Sequence, residues 1–182
     1  KKDANSVVRY HEIIYRAESV KAATVFERKI ITILNDQHNR ENQLVIYYDN
    51  NVKVSKEKAT LYDAEGERIR AAKKSESEDV RALSGGQFYT DSRVLTTTLD
   101  HQSYPFTVEF DYEKKLTDFG MVGFPRWLPL TYDQSVQFSS YTAYVPTGQK
   151  LIHQRNMLPE PVMRTDGTNR VYAWQVTDLS AR

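Results

Sequence analysis

The feature that most limits what this chain can become is the run Phe106-Thr107-Val108-Glu109-Phe110-Asp111-Tyr112-Glu113. A period of two puts Phe106, Val108, Phe110 and Tyr112 on one face and Thr107, Glu109, Asp111 and Glu113 on the other. That pattern is a strand in a sheet with one dry face and one wet face. Pro105 stands at its start, where a missing amide donor does least damage. A chain built around such a strand must bury the dry face against a second layer.

Other segments repeat the theme. Val7 to Tyr15 mixes β-branched and aromatic residues with charges, and Ile30-Ile31-Thr32-Ile33-Leu34 reads as a strand buried on both faces. Residues 35–40 are polar and are expected to form a hairpin loop into the strand Gln43 to Tyr48. Thr60-Leu61-Tyr62 and Arg68-Ile69-Arg70 flank the turn Asp63-Ala64-Glu65-Gly66, where glycine can supply a positive φ. Lys73 to Asp79 reads as a solvated loop or one short helical turn, and Ser84-Gly85-Gly86 as a flexible connection. Gly120 to Leu130 is irregular, broken by Pro125 and Pro129. Val136 to Val145 is a strand whose apolar residues change face near Tyr141, the mark of a bulge. After the Asp166-Gly167 turn, Tyr172, Trp174 and Val176 alternate inward.

Many short strands separated by turns predict an all-β chain, a β-sandwich of antiparallel strands with irregular loops. At 182 residues the chain fits one domain, 1–182, and can bury a core without disulfides or metals. The only plausible internal boundary lies around Lys73 to Gly86. With no cysteine there is neither a thiol nucleophile nor a thiolate metal site. A net charge of +1 supplies no general attraction to nucleic acid or acidic membranes. No apolar run approaches the ~20 residues of a membrane span. No apolar signal region follows the N-terminus, so an exported protein would have lost its leader already.

Several stretches, in order, resemble a bacterial family of uncharacterised β-domains found N-terminal to transglutaminase-like domains in exported proteins. They are Ile31-Thr32-Ile33-Leu34-Asn35, Leu61-Tyr62-Asp63-Ala64-Glu65-Gly66, Phe88-Tyr89-Thr90-Asp91-Ser92-Arg93, residues 103–113, Phe124-Pro125-Arg126-Trp127-Leu128-Pro129 and Tyr172-Ala173-Trp174. The likeness spans about Ala4 to Leu179. It implies an immunoglobulin-like β-sandwich and a periplasmic or secreted, cell-envelope location. It also implies a polypeptide continuing past Arg182 into a transglutaminase-like, protease-like domain, the expected partner. The cysteine–histidine–acid triad of that neighbour has no counterpart here, because the nucleophile is missing.

For chemistry within the chain itself, His11, His38, His101 and His153 form no short-spaced metal pair and are assigned ordinary surface or turn roles. Ser84-Gly85-Gly86 lacks both the nucleophile elbow and the phosphate-loop ending. Glu109, Asp111 and Glu113 could in principle supply two-carboxylate hydrolysis, yet alternating acids also describe a solvated sheet face. Glu76, Glu78 and Asp79 lack a calcium-loop pattern, and Arg68, Arg70, Lys73 and Lys74 lack an aromatic nucleic-acid signature. Aromatic residues stand out instead. Arg126, Trp127, Tyr132, Tyr141 and Tyr144 are the candidate binding surface; Tyr47 and Tyr48 belong to the same aromatic excess over what a strand core requires, and packing into the sandwich is the competing fate of Trp127. The expected role is a non-catalytic accessory domain with no cofactor or metal. The alternatives are an envelope glycan- or peptide-binding module and, last, a carboxylate-dependent hydrolase.

Overall fold

Extended segments dominate the computed structural model, which describes residues 4–37, 40–82, 91–118, 124–129, 132–149, 151–152 and 158–181. In chain order they are β1 (Ser6–Ala17), β2 (Ala22–Ile33), β3 (Gln43–Tyr48), β4 (Val52–Tyr62), β5 (Arg68–Ala71), a 3-10 turn (Lys74–Glu76) and β6 (Ser77–Arg81). They continue as β7 (Arg93–Thr98), β8 (Phe106–Thr117), β9 (Gln134–Pro146), β10 (Val162–Asp166) and β11 (Asn169–Leu179). Eight strands form one sheet in the order β10-β11-β9-β1-β2-β8-β4-β5; three form a second, β3-β7-β6. The chain is thus a β-sandwich. Among the described residues all strand pairings are antiparallel except one. β1 and β9, more than a hundred residues apart, lie parallel with Val8 opposite Val136 and Tyr15 opposite Ala143, so the large sheet is mixed rather than purely antiparallel.

The alternating run continues as predicted through β8. Phe106, Val108, Phe110 and Tyr112 are buried, and in register they meet Ile33 and Ile31 of β2 and Leu61 and Ala59 of β4. The β4–β5 hairpin also forms. Asp63 Oδ1 accepts the Glu65 and Glu67 amides at 3.1 and 2.8 Å, and Gly66 takes φ +87°. Gly167 turns β10 into β11 with φ +57°.

Two expectations are corrected. Residues 35–40 do not close a hairpin, because both edges of β2 are already taken by β1 and β8, and β3 crosses to the small sheet to pair with β7. Ser77–Arg81 is a strand rather than solvated loop. Its side chains gain little from burial, but its backbone pairs with β7, and Arg93 binds Asp79 at 3.0 Å. The short helical turn, the other expectation for Lys73–Asp79, is present over Lys74–Glu76. His38, His153 and Ser84-Gly85-Gly86 lie outside the described residues.

The apolar change of face expected near Tyr141 falls earlier, between Val136 and Ser139, and β9 keeps its register with both neighbours, without the bulge expected in it. Val8, Val136 and Leu179 belong to one core, whereas Ile13, Tyr141 and Trp174 belong to another. Neighbouring strands therefore switch phase together. The accompanying slip in register sits in the β1–β2 pairing, between Val8 and Tyr10. The first core lies between the sheets and is mainly aliphatic, joining Ile33, Leu61 and Val108 to Leu44, Ile46 and Leu99. The second is aromatic, with Tyr15, Tyr141, Tyr172 and Trp174, and Trp127 packs onto it.

Candidate functional site between the two cores

The inner face of the large sheet is apolar at both ends and polar in the middle. Along β2 the inward phase reads Ala23, Val25, Glu27, Lys29, Ile31, Ile33; the apolar residues are core, the two charged ones sit between. Along β8, Lys114 stands between Tyr112 and Leu116. Register brings His11 of β1 opposite Lys29 and beside Ser139 of β9, and Glu27 opposite Tyr112. Four strands thus deliver a belt of polar side chains to one level of the sandwich.

These groups form a connected chain of hydrogen bonds. The Trp127 indole Nε1–H donates to Ser139 Oγ at 2.8 Å. Ser139 Oγ lies 3.2 Å from His11 Nδ1, and His11 Nε2 lies 3.0 Å from Glu27 Oε1. The Tyr112 hydroxyl donates to the other Glu27 oxygen. Both ends of this chain can only donate to it, and Glu27 is the acceptor on which they converge. His11 fits the chain in either charge state: Nε2–H donates to Glu27, and the Ser139 hydroxyl donates to Nδ1 of a neutral ring or accepts from Nδ1–H of a charged one. Burial alone would raise the Glu27 carboxyl, but the hydrogen bonds from His11 and Tyr112 and the His11 charge outweigh it and hold the group below its usual range. Burial, and then the Glu27 charge, push the Tyr112 phenol far upward. Lys29 and Lys114 are pulled down by burial, an effect eased by Glu27. The Lys114 ammonium also donates to the Tyr47 carbonyl at 3.1 Å and lies 5.3 Å from the Tyr112 ring centre.

Serine, histidine and carboxylate are the members of a hydrolytic triad, yet this Ser139 is only 1% exposed and its oxygen already accepts the Trp127 indole. As arranged, no open side remains for an acyl carbon. The belt ties β1, β2, β8 and β9 to the segment Phe124–Pro129. In that segment Trp127 and Pro129 turn toward the sandwich, and Arg126 and Leu128 toward solvent.

The predicted surface residues divide accordingly. Arg126 and Tyr132 are exposed, Tyr132 at 79%. Trp127 is half-buried, 6.3 Å from the Tyr141 ring. Tyr141 is a core residue, 7% exposed and edge-on to Trp174, and so does not belong to a binding surface. Tyr144 lies on the opposite face under the Arg16 guanidinium, 3.8 Å from its ring centre. The five residues therefore do not converge. Tyr47 is exposed; Tyr48 donates to Asp79 at 2.7 Å. The acidic row of β8 is neutralised in place: Arg28 binds Glu109 and lies 3.5 Å from Asp111, Tyr62 donates to Glu109 at 2.6 Å, and Lys56 binds Glu113 at 2.8 Å. Among the described residues no three histidines or acids come together as a metal site, and no helix is long and apolar enough to cross a membrane.

His11 was expected to play an ordinary surface role and instead holds the centre of the relay. Its signal was present in β1 and β2. His11, Glu27 and Lys29 occupy the same alternating phase as Ile13, Tyr15, Val25 and Ile31, where a solvated face would not place them.

Solved structures that match this chain include a candidate protease and two peptidases. A candidate protease from Parabacteroides distasonis superposes with a TM-score of 0.78 at 9% identity, covering 98% of this chain and 36% of its own. The chain therefore spans about a third of that relative. Aminopeptidase A from Legionella pneumophila gives 0.47 at 14% identity, covering 99% and 21%. An M1 zinc metallopeptidase from Deinococcus radiodurans gives 0.40 at 11%, covering 94% and 39%. No curated protein sequence matches significantly. The model of DUF3857, a domain of unknown function with a solved structure, matches residues 21–182, and the chain belongs to that family.

Proposed function

We propose that this chain is a non-catalytic accessory β-domain that supports a transglutaminase-like, protease-like domain within an exported bacterial polypeptide. The observation that carries the reading is that its reactive groups are spent on one another. Ser139 is sealed beneath Trp127, Glu27 is bound by His11 on one oxygen and by Tyr112 on the other, and the β8 acids are paired with Arg28, Tyr62 and Lys56. The similarity of almost the whole chain to one third of a candidate protease is consistent with a module inside a longer protein. In this reading the sandwich supplies a rigid surface and the catalytic groups reside elsewhere. Assays of the 182-residue chain on peptide and polysaccharide substrates should show no turnover. The full reading frame should encode a papain-like or transglutaminase-like domain that buries at least ~1,000 Å² against this one. Turnover by the isolated chain that disappears in Glu109→Gln or Ser139→Ala would overturn the proposal.

A second reading, an envelope glycan- or peptide-binding surface, is favoured by the exposure of Phe124, Leu128 and Tyr132 together with Arg126. Phe124→Ala and Tyr132→Ala test it better than Trp127→Ala, because Trp127 also anchors its segment to Ser139. Unchanged retention on cell-wall material in both variants argues against it.

A further inference from the structure

Two lysines share the inward polar belt, Lys29 on β2 and Lys114 on β8. The Lys114 ammonium donates to the Tyr47 carbonyl at 3.1 Å, whereas Lys29 makes no hydrogen bond or ion pair among the described residues. The groups around Lys29 are committed elsewhere. One Glu27 oxygen pairs with His11 and the other accepts from Tyr112, and His11, opposite Lys29 on β1, also meets Ser139. Lys29 instead lines a cavity of ≈ 290 Å³ whose charged walls are Glu27, Glu41 and Arg40 and whose apolar wall includes Ile31, Leu44 and Phe110. It is half-buried there, so the cavity gives access to its side chain.

An ammonium at this position shares its cavity with one cation and two carboxylates, but none of them takes its protons. Burial pulls the amine below the usual lysine range, and the charges of Glu27 and Glu41 only partly restore it. A lysine that is unbonded and open to a cavity is placed to act as a nucleophile rather than as a counter-ion. We propose that Lys29 captures a small apolar aldehyde as an imine in this cavity. Nζ adds to the carbonyl carbon, and the carbonyl oxygen leaves as water with both amine hydrogens as the C=N bond forms; nothing is oxidised or reduced. The cavity lies at the lower limit of ligand pockets, about 300 Å³, and its apolar wall suits a short alkyl chain. Capture at Lys29 does not depend on which domain flanks the chain.

The probe is butanal with sodium cyanoborohydride, which reduces an imine but spares the aldehyde and so fixes each adduct on the 182-residue chain. Peptide mass mapping then gives the alkylation rate at each lysine. At neutral pH Lys29 should react at least about tenfold faster than the exposed Lys53 and Lys115, because the fraction of free amine sets the rate. Lys114, held by the Tyr47 carbonyl, should react more slowly than Lys29. Raising the pH to about 10 should narrow the gap between Lys29 and the exposed lysines, which gain free amine there. Lys29→Met should remove the fast reaction; if that variant fails to fold, the map of the parent still decides, since every lysine is read separately. Alkylation of Lys29 no faster than that of Lys53 and Lys115 at neutral pH overturns the proposal. So does equal modification of Lys29 and Lys114, or an advantage for Lys29 that survives unfolding in urea and therefore owes nothing to the cavity.

Discussion

Two glutamates, Glu27 and Glu109, sit on opposite faces of the large sheet, and each accepts a tyrosine hydroxyl and pairs with a base. Glu27 holds Tyr112 and His11 on the inner face; Glu109 holds Tyr62 and Arg28 on the outer. The carboxylates are covered to a similar degree, with side chains 21% and 13% exposed, but His11 is 12% exposed and Arg28 44%. The comparison separates burial of an acid from burial of its whole network. The outer pair includes a permanently charged partner washed by solvent, so its attraction is screened and its loss tolerable. The inner pair is one link in a chain running to Trp127, where removing any member leaves other buried groups without partners.

The widest gap between the two should appear on truncation. Glu27→Ala should cost about 3 kcal/mol in urea unfolding, because it strands His11 and the Tyr112 hydroxyl. Glu109→Ala should cost about 1 kcal/mol. Equal losses would break the contrast.

A smaller effect should follow at the far end of the relay. Trp127→Phe keeps most of the packing against Tyr141 but removes the donor to Ser139, and should cost about 1–2 kcal/mol and speed proteolysis within residues 124–129. Tyr132→Ala, at an exposed position, should stay within about 0.5 kcal/mol.

The faces should also differ in acid. The folded state holds the Glu27 carboxyl below its usual value of 4.5. Its contribution is therefore fully present above pH 4.5 and is lost as pH falls through the lower folded-state value. The Asp111 carboxyl is raised, by burial first and by Glu109, against the pull of Arg28, so the native state takes up that proton earlier and gains relative stability as pH falls. Glu27→Gln should thus flatten the acid limb of the stability profile, and Asp111→Asn should steepen it. Measured unfolding free energies between pH 6 and 2.5 check both signs.

The weakest discriminator is salt. Raising NaCl to about 1 M should lower the coupling of Arg28 with Glu109 and of Lys56 with Glu113 by a few tenths of a kcal/mol each, and leave the relay nearly unchanged. Double-mutant cycles at low and high salt measure it directly.

How much of this was legible before the structure depends on how local the cause is. β8, the β4–β5 hairpin and the Asp166-Gly167 turn follow from alternation and turn chemistry within a few residues, and they form as expected. The phase change in β9 is visible as apolar residues moving from even to odd positions, but the sequence puts it near Tyr141 and the structure nearer Val136. The parallel β1–β9 pair was not, since nothing near Val8 announces Val136. Nor was the separation of β2 from β3: both read as strands, and only the competition of β1 and β8 for the edges of β2 sends β3 to another sheet. The site shows the same limit. Trp127 was singled out as an aromatic, but its partner Ser139 and the histidine beyond it come from two other strands. Tyr141 reads as surface in the sequence because composition counts aromatics without saying which face they occupy.

Urea unfolding of Ser139→Ala, together with hydrolase assays of both proteins, bears most directly on whether the inner polar chain is structural. Groups reserved for catalysis commonly sit in strained, costly environments, and replacing them tends to stabilise the protein. Here the alanine variant should lose about 1–2 kcal/mol, with no turnover by either protein, because His11 and the Trp127 indole lose their shared partner. A variant that is more stable than the parent, from a parent that hydrolyses a substrate the variant cannot, would contradict the account.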